Sequence, residues 1–155
     1  MAVPRERPYS QFNFRVKIAG EDGTSTNAGF QEVFGLGTEI HVAEYRPGNY
    51  SDNSPMKVNG SYKVPDVTLK RGVVGDLTVI HNWVKAVRDG GNTGPDVLKT
   101  VVIALLSEDP SRTEVQTWTL TNARPMKYTG PSLTGKGTDV AVEELVLASE
   151  HIEVG

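Results

Sequence analysis

Residues 97–122 read VLKTVVIALLSEDPSRTEVQTWTLTN. From Val101 to Leu106 every position is apolar and β-branched residues lead the run, which suits a strand buried on both faces better than a short helix. Glu108-Asp-Pro-Ser111 then turns the chain. From Thr113 to Asn122 a second strand places Trp118 and Leu120 on one face and Thr117, Thr119 and Thr121 on the other, the period of two that marks a sheet with one wet side. Two neighbouring strands of this kind make the chain a sheet protein.

Toward the N-terminus the one helix is predicted over Asp76–Asp89. Leu77, Ile80, Val84 and Val87 share one helical stripe, Asp76 caps the start, Gly90-Gly91 stops the end, and Trp83 lies beside the stripe to seal the helix onto a sheet. Val67 and Leu69 mark a strand that ends at Gly72. Glu39 to Arg46 predicts a strand burying Ile40 and Val42 and exposing Glu39 and His41, and Phe30 to Phe34 predicts another. Phe12, Phe14, Val16 and Ile18 alternate with Asn13, Arg15 and Lys17, again the strand period. Gly20 to Gly29 reads as a polar turn region, and residues 1–10 as a flexible polar arm. Pro47 to Gly60 is rich in Pro, Gly, Asn, Ser and Asp and too polar to pack on itself, hence a long inter-strand loop. Toward the C-terminus Asp139 to Val154 predicts a last long strand, Val140 and Val142 alternating against Ala141 and Glu143. The expectation is a single domain over 11–155, mainly β (α+β), a sandwich or barrel-like fold with one outer helix. Its predicted core is Phe14, Val16, Ile40, Val42, Leu69, Trp83, Ile103 and Trp118.

Composition narrows the function classes. Lys and Arg total 16 against 19 Asp and Glu, a formal charge of −3, which does not fit a surface that grips duplex nucleic acid through clustered cations. Basic residues cluster only at Arg5 to Arg7 and at Lys70-Arg71, without interleaved aromatics for base stacking. The chain has no cysteine, so disulfides, thiolate metal sites and thiol catalysis are excluded together. His41, His81 and His151 fall in no spacing that aims two imidazoles at one metal. Adjacent strand residues point to opposite faces, so Glu143 and Glu144 do not flank one bond. Gly35-Leu-Gly37 and Gly90-Gly91 open no helix in a phosphate-loop pattern and read as turn and cap glycines. The start, Met-Ala-Val-Pro-Arg-Glu-Arg-Pro, puts charge and proline where a signal peptide needs an apolar core, and no apolar run approaches a membrane span. Synthesis and folding in the cytoplasm without membrane insertion is the expectation. The residues by themselves describe a binding or assembly module with no predicted catalytic residue, cofactor or metal.

Several strings in order carry more. Phe12 to Ile18 (FNFRVKI), Gly29 to Gly35 (GFQEVFG), Thr38 to Gly48 (TEIHVAEYRPG), Asp66 to Gly72 (DVTLKRG), Trp83 in the helix, Trp118 to Tyr128 (WTLTNARPMKY) and Val140 to Ala148 (VAVEELVLA) resemble the T4-like contractile tail tube family. That family includes the inner tube proteins of extracellular contractile injection systems. The resemblance runs from Phe12 to about Ile152 and departs from the family pattern at Pro47-Gly-Asn-Tyr50 and at Asn59-Gly60-Ser61-Tyr62, both assigned to the long loop.

The resemblance implies a structural protein and not an enzyme. It implies hexameric rings whose strands join into a ring-wide β-barrel with helices outside, stacked into the inner tail tube of a contractile phage tail through which DNA passes without specific binding. The implied partners are further copies of the chain, a surrounding sheath protein, the baseplate hub and tail terminator proteins, and a tape-measure protein or cargo in the lumen. The implied place is the virion tail or an extracellular injection particle. On that architecture Glu39, His41, Thr68, Lys70, Thr117, Thr119 and Glu143 are the candidates for lining the lumen. Tyr45, Arg46, Pro47, Gly48, Asn49, Tyr50, Met56 and Lys57 are the candidates for contacts between subunits or rings.

Alternatives within the class are the inner tube of an injection system and a type VI-like secretion ring carrying protein effectors, although TEIHVAEYRPG and DVTLKRG favour the phage-like branch over the latter. From another class, a monomeric β-sandwich binding module would use the Asn49 to Tyr62 loop as its recognition surface. A hydrolase built on His41 and Glu39 lacks a nucleophile.

Overall fold

In the computed structural model the described residues are 6–19, 25–73, 78–94 and 96–155. Along the chain they form β1 (Phe14–Ala19), β2 (Ser25–Ala28), β3 (Glu32–Phe34), β4 (Glu39–Tyr45), β5 (Met56–Lys63), β6 (Val67–Gly72), α1 (Thr78–Gly90), β7 (Lys99–Leu106), β8 (Glu114–Thr129), β9 (Val142–Ala148) and β10 (His151–Val154). One antiparallel sheet runs β2-β1-β7-β8-β9-β6-β3, with β10 also on β8, and β4 and β5 form a separate two-stranded hairpin.

The 16-residue β8 turns this sheet into a sandwich. Its first part pairs with β7, and Arg124 to Thr129 pair with β9. Between the two, the register against β7 slips as Lys99 faces Ala123 while Val101 faces Leu120, and Asn122 takes a left-handed φ of 53°. Such a bulge bends a strand and strengthens its twist, so β8 serves both halves. The first half-sheet is β2-β1-β7-β8-β10; the second is β8-β9-β6-β3.

The core lies where the halves meet. Val16 and Ile18 of β1, Val101 and Ile103 of β7, and Leu120 and Ala123 of β8 contribute from the first half, and Val67 and Leu69 of β6 with Leu145 and Leu147 of β9 from the second. Ile80 and Trp83 of α1 complete it, and the Trp83 indole N–H donates to the Val97 carbonyl at 2.8 Å, so its one polar atom is satisfied in the dark. Phe14 and Trp118 pack against this cluster while remaining partly buried. Gly91, at φ 87°, supplies the left-handed stop expected after α1. The Asp76 cap falls outside the described residues. Gly35 has φ 95°, and a Cβ there would stand 2.2 Å from the Asp66 carbonyl oxygen, so only glycine lets β3 approach β6.

Four expectations are corrected. Gly20 to Gly29 is not all turn, because Ser25–Ala28 pairs with β1 as an edge strand; residues 20–24 lie outside the description. Pro47 to Gly60 is not one loop: β5 begins at Met56 and pairs back onto β4, leaving 46–55 as the hairpin tip. Ile40 and Val42 are 54% and 49% exposed instead of core, because their alternation belongs to a hairpin with no body beneath it. The last strand is broken into β9 and β10 and has the opposite phase, Glu143, Leu145 and Leu147 facing inward while Val140 is 78% exposed. Of the arm, residues 1–5 lie outside the description, and the Ser10 N–H donates to the Glu108 carboxylate at 2.8 Å.

Candidate functional site

The β4–β5 hairpin stands off the body. Every residue of both strands is exposed, among them Ile40, Val42, Tyr45, Met56, Val58 and Tyr62. A bare two-stranded hairpin is marginal in water, and an exposed apolar patch in a folded chain marks a surface meant for another molecule. Its base is fixed by Tyr62, whose hydroxyl accepts from the Ile152 N–H at 3.3 Å and whose ring stacks on His151 at 6.3 Å between centroids. Its tip is organised by Arg46, which donates to the carbonyls of Asp52 at 2.9 Å and Tyr50 at 3.1 Å, and by a turn from Tyr50 N–H to the Pro47 carbonyl at 3.1 Å. The eight residues expected to touch other subunits, Tyr45 to Tyr50 with Met56 and Lys57, thus come together at one end of this hairpin.

The outward face of the first half-sheet is polar. Register places Lys17, Val102, Thr119 and Glu153 in one row across four strands, and Arg15, Ala104 and Thr117 in the next. Arg15 and Glu114 form a close ion pair, and Lys17 stands 3.7 Å from the same carboxylate. The facing row, Val16, Ile103 and Trp118, belongs to the core side, so one sheet carries a wet face and a dry one.

The seven lumen candidates do not share this face. Thr117 and Thr119 lie on it. Glu39 and His41 are exposed on the hairpin. Lys70 lies on the second half-sheet, 4.0 Å from Glu32 and over the Phe34 ring at 5.4 Å. Two expectations need correction: Thr68, in an interior strand of the second half-sheet between Phe34 and Val146 in the register, is 8% exposed, and Glu143 is 3% exposed because it points into the core row of β9.

Glu143 anchors a buried polar cluster. Arg71, opposite it in the register, donates from Nε to Oε1 at 2.6 Å, and the Tyr128 hydroxyl donates to Oε2 at 2.6 Å. That bond to the carboxylate, with partial burial and the carboxylate's charge, pushes the Tyr128 phenol up to about 12. The Arg71 guanidinium lies 5.8 Å over the Phe30 ring, and His81 meets the Tyr128 ring edge-on at 5.1 Å. The cluster was legible in principle: Arg71 is in phase with Val67 and Leu69, and Glu143 with Leu145 and Leu147. A charge in phase with a core row needs a partner there. Among the described residues no three His, Cys, Asp or Glu stand close enough to hold a metal ion, and no helix is long and apolar enough to cross a membrane.

A sandwich with one dry core, one polar sheet face and an apolar hairpin held away from its own body defines a structural subunit of a larger assembly. The family profile of the T4-like virus tail tube protein gp19 matches residues 10–153, and the chain belongs to that family of tail tube proteins. No curated protein matches the chain. Among solved structures it resembles a chain of the sheath-tube complex of an extracellular contractile injection system, PVC, in the extended state, at 26% identity and a TM-score of 0.79, covering 97% of this chain and 93% of that one. A chain of the anti-feeding prophage baseplate superposes with a TM-score of 0.83 at 20% identity, covering 97% of each. Hcp1 from Flavobacterium johnsoniae gives 0.52 at 13%, covering 92% of this chain and 94% of that one.

Proposed function

We propose that copies of this chain close into six-membered rings, that the rings stack into the inner tube of a contractile particle, and that the tube conducts cargo without chemical turnover. The β4–β5 hairpin carries this reading, because its exposed apolar side chains and marginal two-stranded pairing require a second molecule. The polar face of the first half-sheet lines the lumen, its strands continuing into those of the neighbours as one barrel, while α1 lies outside. A sheath surrounds the tube, and a baseplate hub and a terminator close its ends. The domain is a single tube unit over 11–155 with residues 1–10 as an arm.

Electron microscopy of the purified protein tests this. Rings or tubes are expected; a monodisperse monomer at every concentration, checked by light scattering, overturns the assembly and leaves a binding module.

For the cargo we take DNA of a phage tail first. Protein cargo of an extracellular injection system is the second reading, and the 26% identity to the PVC sheath-tube chain favours it. Particles isolated from the producing cell separate the two, since capsid-bearing particles containing nuclease-sensitive DNA on disruption mean a phage, and capsid-free tubes containing protein mean an injection system.

A further inference from the structure

Of the eight asparagines in the chain only Asn59 is followed by glycine. Glycine has no Cβ to shield its own backbone nitrogen, and that nitrogen is the group that can close on the side-chain amide of the asparagine before it. A paired, extended backbone normally withholds this reaction by holding the amide carbon away from the next N–H. Both Asn59 and Gly60 are exposed.

The pairing around them is irregular. Asn59 faces Val42 in the last regular pair before the register slips; Gly60 and Ser61 then both stand against His41, and Tyr62 resumes opposite Ile40. A bulge of this kind disrupts the ladder locally. The hairpin is a sheet of its own, exposed at every residue of both strands. Such a two-stranded sheet is marginal in water and opens at a small fraction of the cost of global unfolding. Glycine is also required there, since a Cβ at Gly60 would stand 2.9 Å from the His41 carbonyl oxygen. The residue that makes the bulge possible is thus the one that makes Asn59 reactive.

We propose that Asn59 is a site of spontaneous deamidation in the separate subunit, and that the change retires copies that stay unassembled. When the hairpin opens at the bulge, the Gly60 nitrogen attacks Cγ of Asn59 and gives its proton to solvent, and the side-chain amide leaves as ammonia. Water then opens the cyclic imide. Attack at Cγ gives aspartate at position 59; attack at the backbone carbonyl carbon leaves the chain running through the side chain, as isoaspartate. Either product puts a carboxylate opposite Val42, on the hairpin face that carries Ile40 and Tyr62. Isoaspartate also lengthens the backbone of β5 between Met56 and Tyr62, so the pairing cannot keep its register on both sides of the change. The chemistry belongs to the subunit alone, whereas the retirement rests on the ring reading above.

Dispersed wild-type subunits are held in mildly alkaline buffer, sampled over days and mapped by peptide mass spectrometry with an isoaspartyl methyl-transfer assay. The urea-unfolded chain sets the intrinsic rate. Asn59 alone is expected to show the amide-to-acid mass change, with isoaspartate the larger product, and to do so severalfold more slowly in tubes. Aged wild type should then yield severalfold less tube than fresh protein, while Asn59→Gln, whose longer side chain closes on the next nitrogen far more slowly, keeps its yield. Asn59 left intact in the folded subunit after the unfolded chain has largely converted overturns the site. Conversion with an unchanged yield, or an equal loss in Asn59→Gln, overturns the retirement. If fresh Asn59→Gln does not assemble, partly aged wild type decides: tubes enriched in intact Asn59 over the input support the proposal, and tubes of the input's composition overturn it. Fresh wild type that forms no rings or tubes overturns the ring reading and the retirement with it, while the peptide map still judges Asn59.

Discussion

At the scale of single residues the decisive pair is Arg71 and Glu143, two charges placed in core rows that would otherwise be aliphatic. Breaking a buried pair by removing one partner leaves the other uncompensated, at a cost of about 3–5 kcal/mol. Arg71→Leu is expected to lose stability on that scale in urea unfolding, and Arg71→Leu with Glu143→Leu to recover part of it. Tyr128 adds a pH signature. Its folded phenol is pushed up to about 12, above the unfolded value of roughly 10. The group with the raised folded value binds its proton more tightly when folded, so its contribution is full below pH 10 and is lost between about pH 10 and 12. The stability gap between wild type and Tyr128→Phe should shrink across that window; a gap that is flat with pH would detach the phenol from Glu143. Neither role emerged from residue type, because Lys70-Arg71 resembles a solvated basic pair and Glu143-Glu144 a wet acidic one until strand phase is followed into the core rows.

At the scale of elements, β7 and the hairpin make opposite predictions. Ile103→Asp puts an unpaired charge into a residue 2% exposed, between Val16 and Trp118 in the register, and should abolish soluble folding; normal expression with an unchanged melting curve would remove β7 from the core. Val58→Asp lies on the exposed hairpin and should change subunit stability by no more than about 0.5 kcal/mol while preventing tube growth. Tubes of normal length from that variant would remove the hairpin from the contacts between subunits. Strands with a body beneath them were legible: β1, β6, β7 and the first part of β8 follow the alternation of their apolar residues, and Trp83 seals α1 as its position beside the stripe implied. Strands without that support were not. Ser25–Ala28 has no large apolar residue to mark β2. Met56–Lys63 carries Asn59-Gly60, a turn signal, yet Gly60 lies inside β5 at the irregular step opposite His41, where a Cβ would stand 2.9 Å from the His41 carbonyl oxygen. Ile40 and Val42 have the right period for a core strand, and nothing in a period tells which molecule supplies the other side.

At the scale of the whole molecule the distribution of charge decides what a tube of this protein can carry. Arg15 and Lys17 against Glu114 and Glu153 leave the outward face of the first half-sheet balanced, with Thr117, Thr119 and Thr121 between them. The formal charge of −3 therefore resides elsewhere on the subunit. If that face lines the channel as proposed, a wall without net positive charge would offer no counterion-release adhesion to DNA, and its threonines would offer protein cargo few apolar holds, so either could slide. Thr119 sits at the middle of that face, between Val102 and Glu153 in the row from Lys17, and reaches solvent in the separate subunit. In a closed tube a reagent reaches it only by diffusing in from the ends. Thr119→Cys should then react readily with a small maleimide in dispersed subunits, slowly in assembled tubes, and scarcely with a bulky polymer-linked maleimide once the ends are capped. Equal labelling of subunits and tubes would put the polar face on the outside and assign the lumen to the second half-sheet, where Lys70 and Glu32 lie.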